Sequence, residues 1–555
     1  MILFAKGKNR MKLMLLASAA LLLPAGARAA DPQFDAARLS AHVRTLSSDA
    51  FEGRGPATAG ETKTVAYLIE QMRSAGLQPG GTAGADGKRG WTQDVPLLRS
   101  SIEGAPSISI NGKAMTQGEQ IAMRAALTGQ KSVSIKDAPL VFAGYGVKAP
   151  ERNWDDYKGQ DLRGKILVVL VNDPDFETGE GDFGGKTMTY YGRWTYKYEE
   201  AARLGAAGML IVHETAPASY GWATVKNSNT NTMFDIVRAD PKAVHTPFEA
   251  WIQRDEAVRL FKESGLDFEA LKKQAQGRDF RPVPLKATLS ADYKVASEVI
   301  TSKNVLGRLE GAKRPDETVI YSGHWDHLGV GEPDARGDRI YNGAVDNATG
   351  LAAMIEIGRA FAAAPRTDRS VVFLAVTAEE KGLLGSEYYA ANPVYPLGKT
   401  AAVINMDSLG VNGPARDFTI SGTAKLGLLD ALVAEGQRRG RVFIPDPNTE
   451  SGGFYRSDHF PFAKRGVPAF SFGSGRDLVQ GGTARGTELR KAYTADRYHQ
   501  PADEWSADWD FGGMSGDLSL LYDVGRRFAA GAEWPNWSED SEFRAARDAT
   551  AGERK

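Results

Sequence analysis

The sequence predicts an α/β fold: a mixed sheet with helices on both faces, interrupted by a β-rich block. Three observations predict it. Between Thr318 and Gly385, two apolar, β-branched runs flank an Ala-rich helical stretch, giving a strand–helix–strand pattern. From about residue 135 to Tyr293 the texture changes to short apolar runs bounded by turns. In the C-terminal half, apolar runs stop on acids or histidines, where open α/β sheets place their ligands.

In chain order, Lys6, Lys8, Arg10 and Lys12 form a basic start, and Leu13 to Leu23 an apolar run too short to span a bilayer comfortably. Pro24 and Gly26 break it, and Ala27-Arg28-Ala29 suits cleavage. Residues 1–29 therefore read as a signal peptide, and the mature protein as periplasmic or secreted, without a membrane partner once the signal is removed. An uncleaved anchor is the competing reading. Residues 31–136 form the first part of one domain, with a helix over Ala36 to Leu46, a glycine-rich turn Phe51-Glu-Gly-Arg54, a helix from Glu61 capped by Gly76, and a strand from Trp91 to Leu98. The turn lacks the Gly-Lys-Ser/Thr ending of a phosphate loop.

Residues 137–293 read as a separate β-rich insert, with strands at Pro139–Val147, Lys165–Val171 and Gly208–Val212, and polar loops at Asp173–Lys186 and Lys226–Thr232. Residues 294–535 return to the α/β domain. Strands are predicted at Val319–Ser322, Ser370–Val376, Ala401–Asn405 and Ala469–Phe472, and helices at Ala348–Ala363, Gly385–Ala391, Leu426–Arg438 and Leu518–Ala530. Residues 536–555 read as a flexible polar tail, frayed from Arg547 onward.

The 555 residues exceed one ordinary domain, with 42% hydrophobic and 25% charged residues, ordinary values for a globular protein. A formal net charge of −1 leaves no basic footprint for nucleic acid. There is no cysteine, so disulfides and thiolate metal sites are excluded, and seven histidines bound the imidazole ligands. The polar groups at the ends of apolar runs are His324, Asp326, Asp346, Glu379, Glu380 and Asp407, with Tyr498-His499 and Asp503 downstream. Two imidazoles with several carboxylates suit zinc; carboxylates with few nitrogens would favour magnesium or manganese. One histidine per metal and a shared aspartate would make a co-catalytic pair, its ions about 3.5–4 Å apart. Two Zn²⁺ would balance Asp346, Glu380, Asp407 and one hydroxide, whereas the three carboxylates alone would repel. Each feature also has an ordinary reading: Asp-Asn before a helix is usually a cap, and Glu-Glu usually a solvated face.

Taken in order, His324-Trp-Asp326, Asp346-Asn347-Ala-Thr-Gly350, Glu379-Glu380 before Gly385-Ser386, Asn405-Met-Asp407, Ser457-Asp458-His459-Phe-Pro-Phe462 and Tyr498-His499 resemble the exported di-zinc aminopeptidases. That family also contains glutamate carboxypeptidase and the transferrin-receptor ectodomain. The resemblance covers about Phe34 to Ala530, and the middle block is similar to the protease-associated domain of many members. It implies a zinc-peptidase domain that hydrolyses N-terminal residues from peptide substrates. It implies two zinc ions per chain held by His324, Asp346, Glu380, Asp407 and His499, with Asp346 bridging, His324 paired with Asp407, and Glu380 with His499. It makes Glu379 the general base, Asp326 the partner that fixes the His324 tautomer through a hydrogen bond, and Tyr498 a donor to the oxyanion or simply a packing residue. His327 is the competing imidazole, but only His324 has an acid two residues on; His459 reads as supporting or structural. The alternatives are a carboxypeptidase using arginines of the insert such as Arg193 or Arg203, a single-zinc glutaminyl cyclotransferase, and a binding protein without activity. The pattern sets neither side-chain preference nor oligomeric state.

Overall fold

The computed structural model describes residues 34–554. The signal-peptide stretch lies outside the described residues. The fold is mixed α/β, built on a 16-stranded sheet that runs through two units. In the first unit, Arg314–His324 lies parallel between Arg369–Val376 and Thr400–Met406, and Thr400–Met406 pairs in parallel with Ala469–Ser474. The strand Val283–Leu309 adds an antiparallel edge to Arg369–Val376.

Every residue of Arg369–Val376 is buried, as a parallel strand covered on both faces requires. Its side chains divide by period two. Val371, Phe373 and Ala375 join the core beneath the helices Ala36–Leu46, Thr349–Ala363 and Gly512–Ala530. Val372, Leu374 and Val376 join the core on the other face, with Tyr389 of the helix Leu384–Ala391 and Phe462 of the helix Phe460–Lys464. Asp35 caps the first helix, its carboxylate accepting from the amides of Ala37 (2.8 Å) and Arg38 (3.3 Å). In Gly512–Ala530, the Tyr321 hydroxyl reaches the Leu521 carbonyl at 2.8 Å, and a Cβ on Gly525 would collide with it.

The second unit carries Ser132–Phe142, Ile166–Leu170, Gly208–His213 and Phe248–Gln253 in spatial order, all four parallel, with Ile121–Met123 antiparallel at the edge. Its core also takes Ile108, Ile110, Met115, Ile121 and Met123, so the unit begins before the expected boundary at 137. Nor does it end at a break near 293. Thr92–Ile110 leads out and Val283–Leu309 leads back, paired antiparallel from Leu289–Ile110 to Val305–Thr92. A two-stranded ribbon, not a loop, therefore joins the units. The expected polar loop at Lys226–Thr232 is in part the helix Trp222–Asn229.

The tail corrects a further expectation. Residues 544–549 are helical, and Trp537, Phe543 and Arg547 are buried. Arg547 donates to the Thr400 carbonyl at 3.0 Å, and the Trp537 indole to the Gly466 carbonyl at 2.9 Å. Alternating aromatic and charged residues hid this packing behind a polar composition.

Candidate metal centre

His324 is the last residue of its strand, and Asp407 directly follows the strand Thr400–Met406. Asp346 sits in the turn before the helix Thr349–Ala363, and Glu379 and Glu380 follow the strand Arg369–Val376. His499 comes from the loop after the helix Gly482–Asp496. Ala378, Ser408 and His499 hold φ of 51°, 57° and 58°, so backbone in a sparsely allowed region surrounds the cluster. The Asp346–Asn347 peptide bond is cis.

The five expected ligands converge. Asp346 gives one oxygen to each imidazole: Oδ1 lies 3.2 Å from His324 Nε2 and Oδ2 lies 3.3 Å from His499 Nε2. Asp407 Oδ1 lies 3.4 Å from His324 Nε2, and Glu380 Oε2 lies 3.1 Å from His499 Nε2. Two groups of donors thus share Asp346. Metal–ligand bonds of 2.0–2.2 Å in a tetrahedron set donors about 3.3 Å apart, so this spacing and this thiol-free donor set fit two zinc ions.

Supporting contacts fix the donors. Ser457 donates to Asp407 Oδ2 (2.6 Å) and Ser408 to Oδ1 (3.1 Å). Asp503 accepts from the amides of Val345 (3.1 Å) and Asp346 (3.1 Å), while its carbonyl accepts from Ala344 at 2.8 Å. The loop of His499 is thereby tied to the turn of Asp346. Arg54 is fully buried and donates to the carbonyls of Leu46, Trp325, Asn342 and Gly343 at 2.6–2.9 Å. Arg54 and Asp503 drew no role from the sequence, because neither sits at the end of an apolar run.

One expectation changes. The Asp326 carboxylate does not hydrogen-bond His324: Oδ1 is 3.8 Å from Nδ1, whereas the Asp326 backbone carbonyl is 3.1 Å from it. The strand ends at His324, so the period-two rule no longer aims Asp326 beside the imidazole. The carboxylate instead accepts from the amides of Glu379 (3.0 Å) and Glu380 (3.4 Å) and sets that turn. The backbone carbonyl takes over the tautomer role: it accepts from Nδ1–H and leaves the Nε2 lone pair free for a metal. His327, set aside in the sequence, is buried with Nδ1 2.7 Å from Glu380 Oε1, though without the alignment of a hydrogen bond. Its nitrogen also groups with Asp346 and Glu380 within 4.8 Å. His459 is buried edge-on to Phe454 and burial pushes its pKa down to about 3, so it is a neutral packing residue.

Glu379 is held well above the usual carboxylate range by burial, opposed by His324 and reinforced by Glu380, Asp458 and Asp407. Tyr498 stacks on His499 with ring centroids 3.9 Å apart and is 42% exposed. Glu379, Glu380, Tyr498 and His499 line one side of a cavity of about 340 Å³; Arg124, Arg193, Trp194 and Tyr198 of the second unit line the other.

The model of peptidase family M28 matches residues 304–522. Residues 304–522 belong to peptidase family M28. All five converging ligands and Glu379 fall inside the M28 segment. Among relatives, a probable zinc metalloprotease of Pyrenophora teres f. teres is 29% identical over 203 residues, covering 36% of this chain and 39% of that one. The chain thus spans about two fifths of that relative's length. Aminopeptidase YwaD of Bacillus subtilis is 24% identical over 443 residues, covering 78% of this chain and 75% of that one. Among solved structures, an aminopeptidase from Aneurinibacillus sp. strain AM-1 superposes with a TM-score of 0.48 at 19% identity, over 90% of this chain and 96% of that one.

Proposed function

We propose that the chain is an exported, zinc-dependent aminopeptidase that removes N-terminal residues from peptides. The observation that carries this reading is the pair of donor groups, His324–Asp407 and His499–Glu380, sharing Asp346 beside Glu379. The likeness to a probable zinc metalloprotease and to aminopeptidase YwaD supports it. Two zinc ions held by these residues would supply Lewis acidity to the scissile carbonyl and lower the pKa of water toward neutrality. Glu379 takes the proton of the attacking water on its carboxylate and delivers it to the leaving amine nitrogen. The Tyr498 phenol, its pKa pushed up by burial and by the carboxylates of Asp346 and Glu380, keeps its proton, faces the same cavity and donates to the developing oxyanion. Asp326 positions Glu379 through the backbone amide. The second unit, read as a protease-associated insert, forms the far wall of the cavity.

Aminoacyl-anilides test the reaction, and zinc analysis tests the stoichiometry of two per chain. Glu379→Ala should keep both zinc ions and lose about 10²–10⁴-fold in kcat. Near-normal turnover in that variant removes Glu379 from the mechanism. A carboxypeptidase reading has one specific observation in its favour, the unpaired Arg193 in the cavity. It predicts cleavage of N-blocked dipeptides in place of the anilides.

A further inference from the structure

The proposed chemistry leaves a buried imidazole beside the metal donors without a task. His327 is fully buried, and neither ring nitrogen has an aligned hydrogen-bond partner. Glu380 Oε1 is likewise buried without one. These two orphaned groups face each other, with His327 Nδ1 2.7 Å from Glu380 Oε1. His459 is also buried with both nitrogens unpaired, but its ring meets Phe454 edge-on and serves packing.

The distance separates two roles. Donors that share one tetrahedral zinc stand about 3.3 Å apart. The four contacts among the proposed ligands, at 3.1–3.4 Å, match that spacing. At 2.7 Å, His327 is too close to Glu380 for the two atoms to be ligands of one ion. The contact has instead the length of an N–H···O⁻ hydrogen bond. Rotation of an imidazole about χ2 is soft, whereas a buried donor and a buried carboxylate oxygen left unsatisfied are costly, so a small turn of the ring satisfies both.

The surroundings keep the ring in place. The His327 amide donates to the Arg54 carbonyl at 3.3 Å. Gly343, at φ of 56°, lies against the ring, and a Cβ there would stand 2.6 Å from His327 Cγ. The His499 ring meets it edge-on, with centroids 5.7 Å apart. Glu380 therefore turns one oxygen to each imidazole, Oε2 to His499 and Oε1 to His327.

We infer that His327 is a positioning residue, whose Nδ1–H holds Glu380 Oε1 so that Oε2 is presented to a metal together with His499 and Asp346. The inference rests on the two-zinc reading and deepens it, because it makes the two ions unequal. The hydroxyls of Ser457 and Ser408 hold Asp407 on the other side of the site, and His327 is their counterpart for Glu380. Loss of such an outer partner weakens metal binding about 10–100-fold.

Zinc affinity of the full-length protein is read by competition with a chromophoric chelator, without turnover. The wild type should hold two zinc ions. His327→Leu should keep one at wild-type affinity and bind the other about 10–100-fold more weakly. His327→Asn carries an amide N–H near the place of Nδ1 and should recover part of that loss. If His327→Leu does not fold, His327→Ala takes its place. Folded variants that hold both ions as the wild type does, that weaken both equally, or that gain nothing from Asn over Leu overturn the role. A wild type holding a single zinc strikes the two-zinc reading instead. The same variants then decide His327 on that one ion: unchanged affinity overturns the role, and a loss of at least about tenfold that Asn partly restores upholds it. A wild type that takes up no zinc overturns both.

Discussion

Arg54 shows how one side chain can brace a candidate metal centre without supplying a ligand atom. Its five acceptors are all carbonyls: those of Trp325, Asn342 and Gly343 flank His324 and Asp346, and a fifth, at 3.5 Å, is the carbonyl of Asp346 itself. Burial lowers its pKa to about 10, against the pull of Asp346, Asp503, Asp326 and Glu380, so it stays charged at neutral pH. The preceding Gly53 has φ of 63°, and a Cβ there would collide with the Gly329 and Tyr341 carbonyls. This gives the glycine of the Phe51–Arg54 turn a steric reason. Replacing Arg54 by Met strands at least four carbonyls in the interior, at about 1–3 kcal/mol for each that water does not reach. Denaturant unfolding of Arg54→Met should show a loss of at least about 3 kcal/mol, with weaker zinc retention. Arg54→Lys recovers only part, since an ammonium offers three donors where the guanidinium offers five. Unchanged stability in Arg54→Met would show that these carbonyls find other partners.

At the scale of elements, the strand ends carrying the ligands were legible because apolar runs break there on acids and histidines. The predicted helix Ala36 to Leu46 and the strand Ser370–Val376 match their observed counterparts within a residue. Less was legible where periodicity is weak. The helix Gly482–Asp496 is mostly exposed and has almost no apolar face, so no pattern announced it. The ribbon Thr92–Ile110 and Val283–Leu309 mixes polar and apolar residues along a path between two cores, which disguised its length. The contact of Asp326 was misjudged, because strand alternation was carried past the strand's end at His324. One histidine between two strands makes a pH prediction. His245 Nε2 lies 3.1 Å from Asp235 beside the strand Met233–Ile236, and Nδ1 lies 3.0 Å from Glu249 on Phe248–Gln253. Burial alone would lower the His245 pKa, but Glu249 and Asp235 outweigh it and raise it to about 9. The folded state therefore holds a proton that the unfolded state releases near 6.5. Stability from this group is complete below pH 6.5 and is lost as pH rises through 9, on the order of 3 kcal/mol over that window. Unfolding of the wild type and of His245→Gln at pH 6.5 and 9 checks it: the pH-dependent loss should be the larger in the wild type, and equal slopes would refute it.

Across the whole molecule, the C-terminal tail decides how firmly the two units face each other over the cavity. Glu542 meets Tyr455 of the M28 segment at 3.1 Å and Arg152 of the second unit at 3.8 Å. Phe543 packs at 5.9 Å from Phe454 and 6.5 Å from Tyr190, so one side chain touches both units. Lys464 and Glu199 add an ion pair across the same seam. The joining ribbon fixes the connection but leaves the closing angle to contacts of this kind, and the cavity wall depends on that angle. Each of Trp537 and Phe543 contributes about 2–3 kcal/mol through burial alone. A chain ending at residue 535 should therefore unfold several degrees lower and expose apolar surface around Phe454. The five proposed ligands lie outside the tail, so this truncated chain should still bind zinc. Its defect should appear as a raised KM for peptides, larger than for small anilides that need only the metal side of the cavity. Equal KM changes for the two substrate types would show that the tail supports the fold without shaping the cavity.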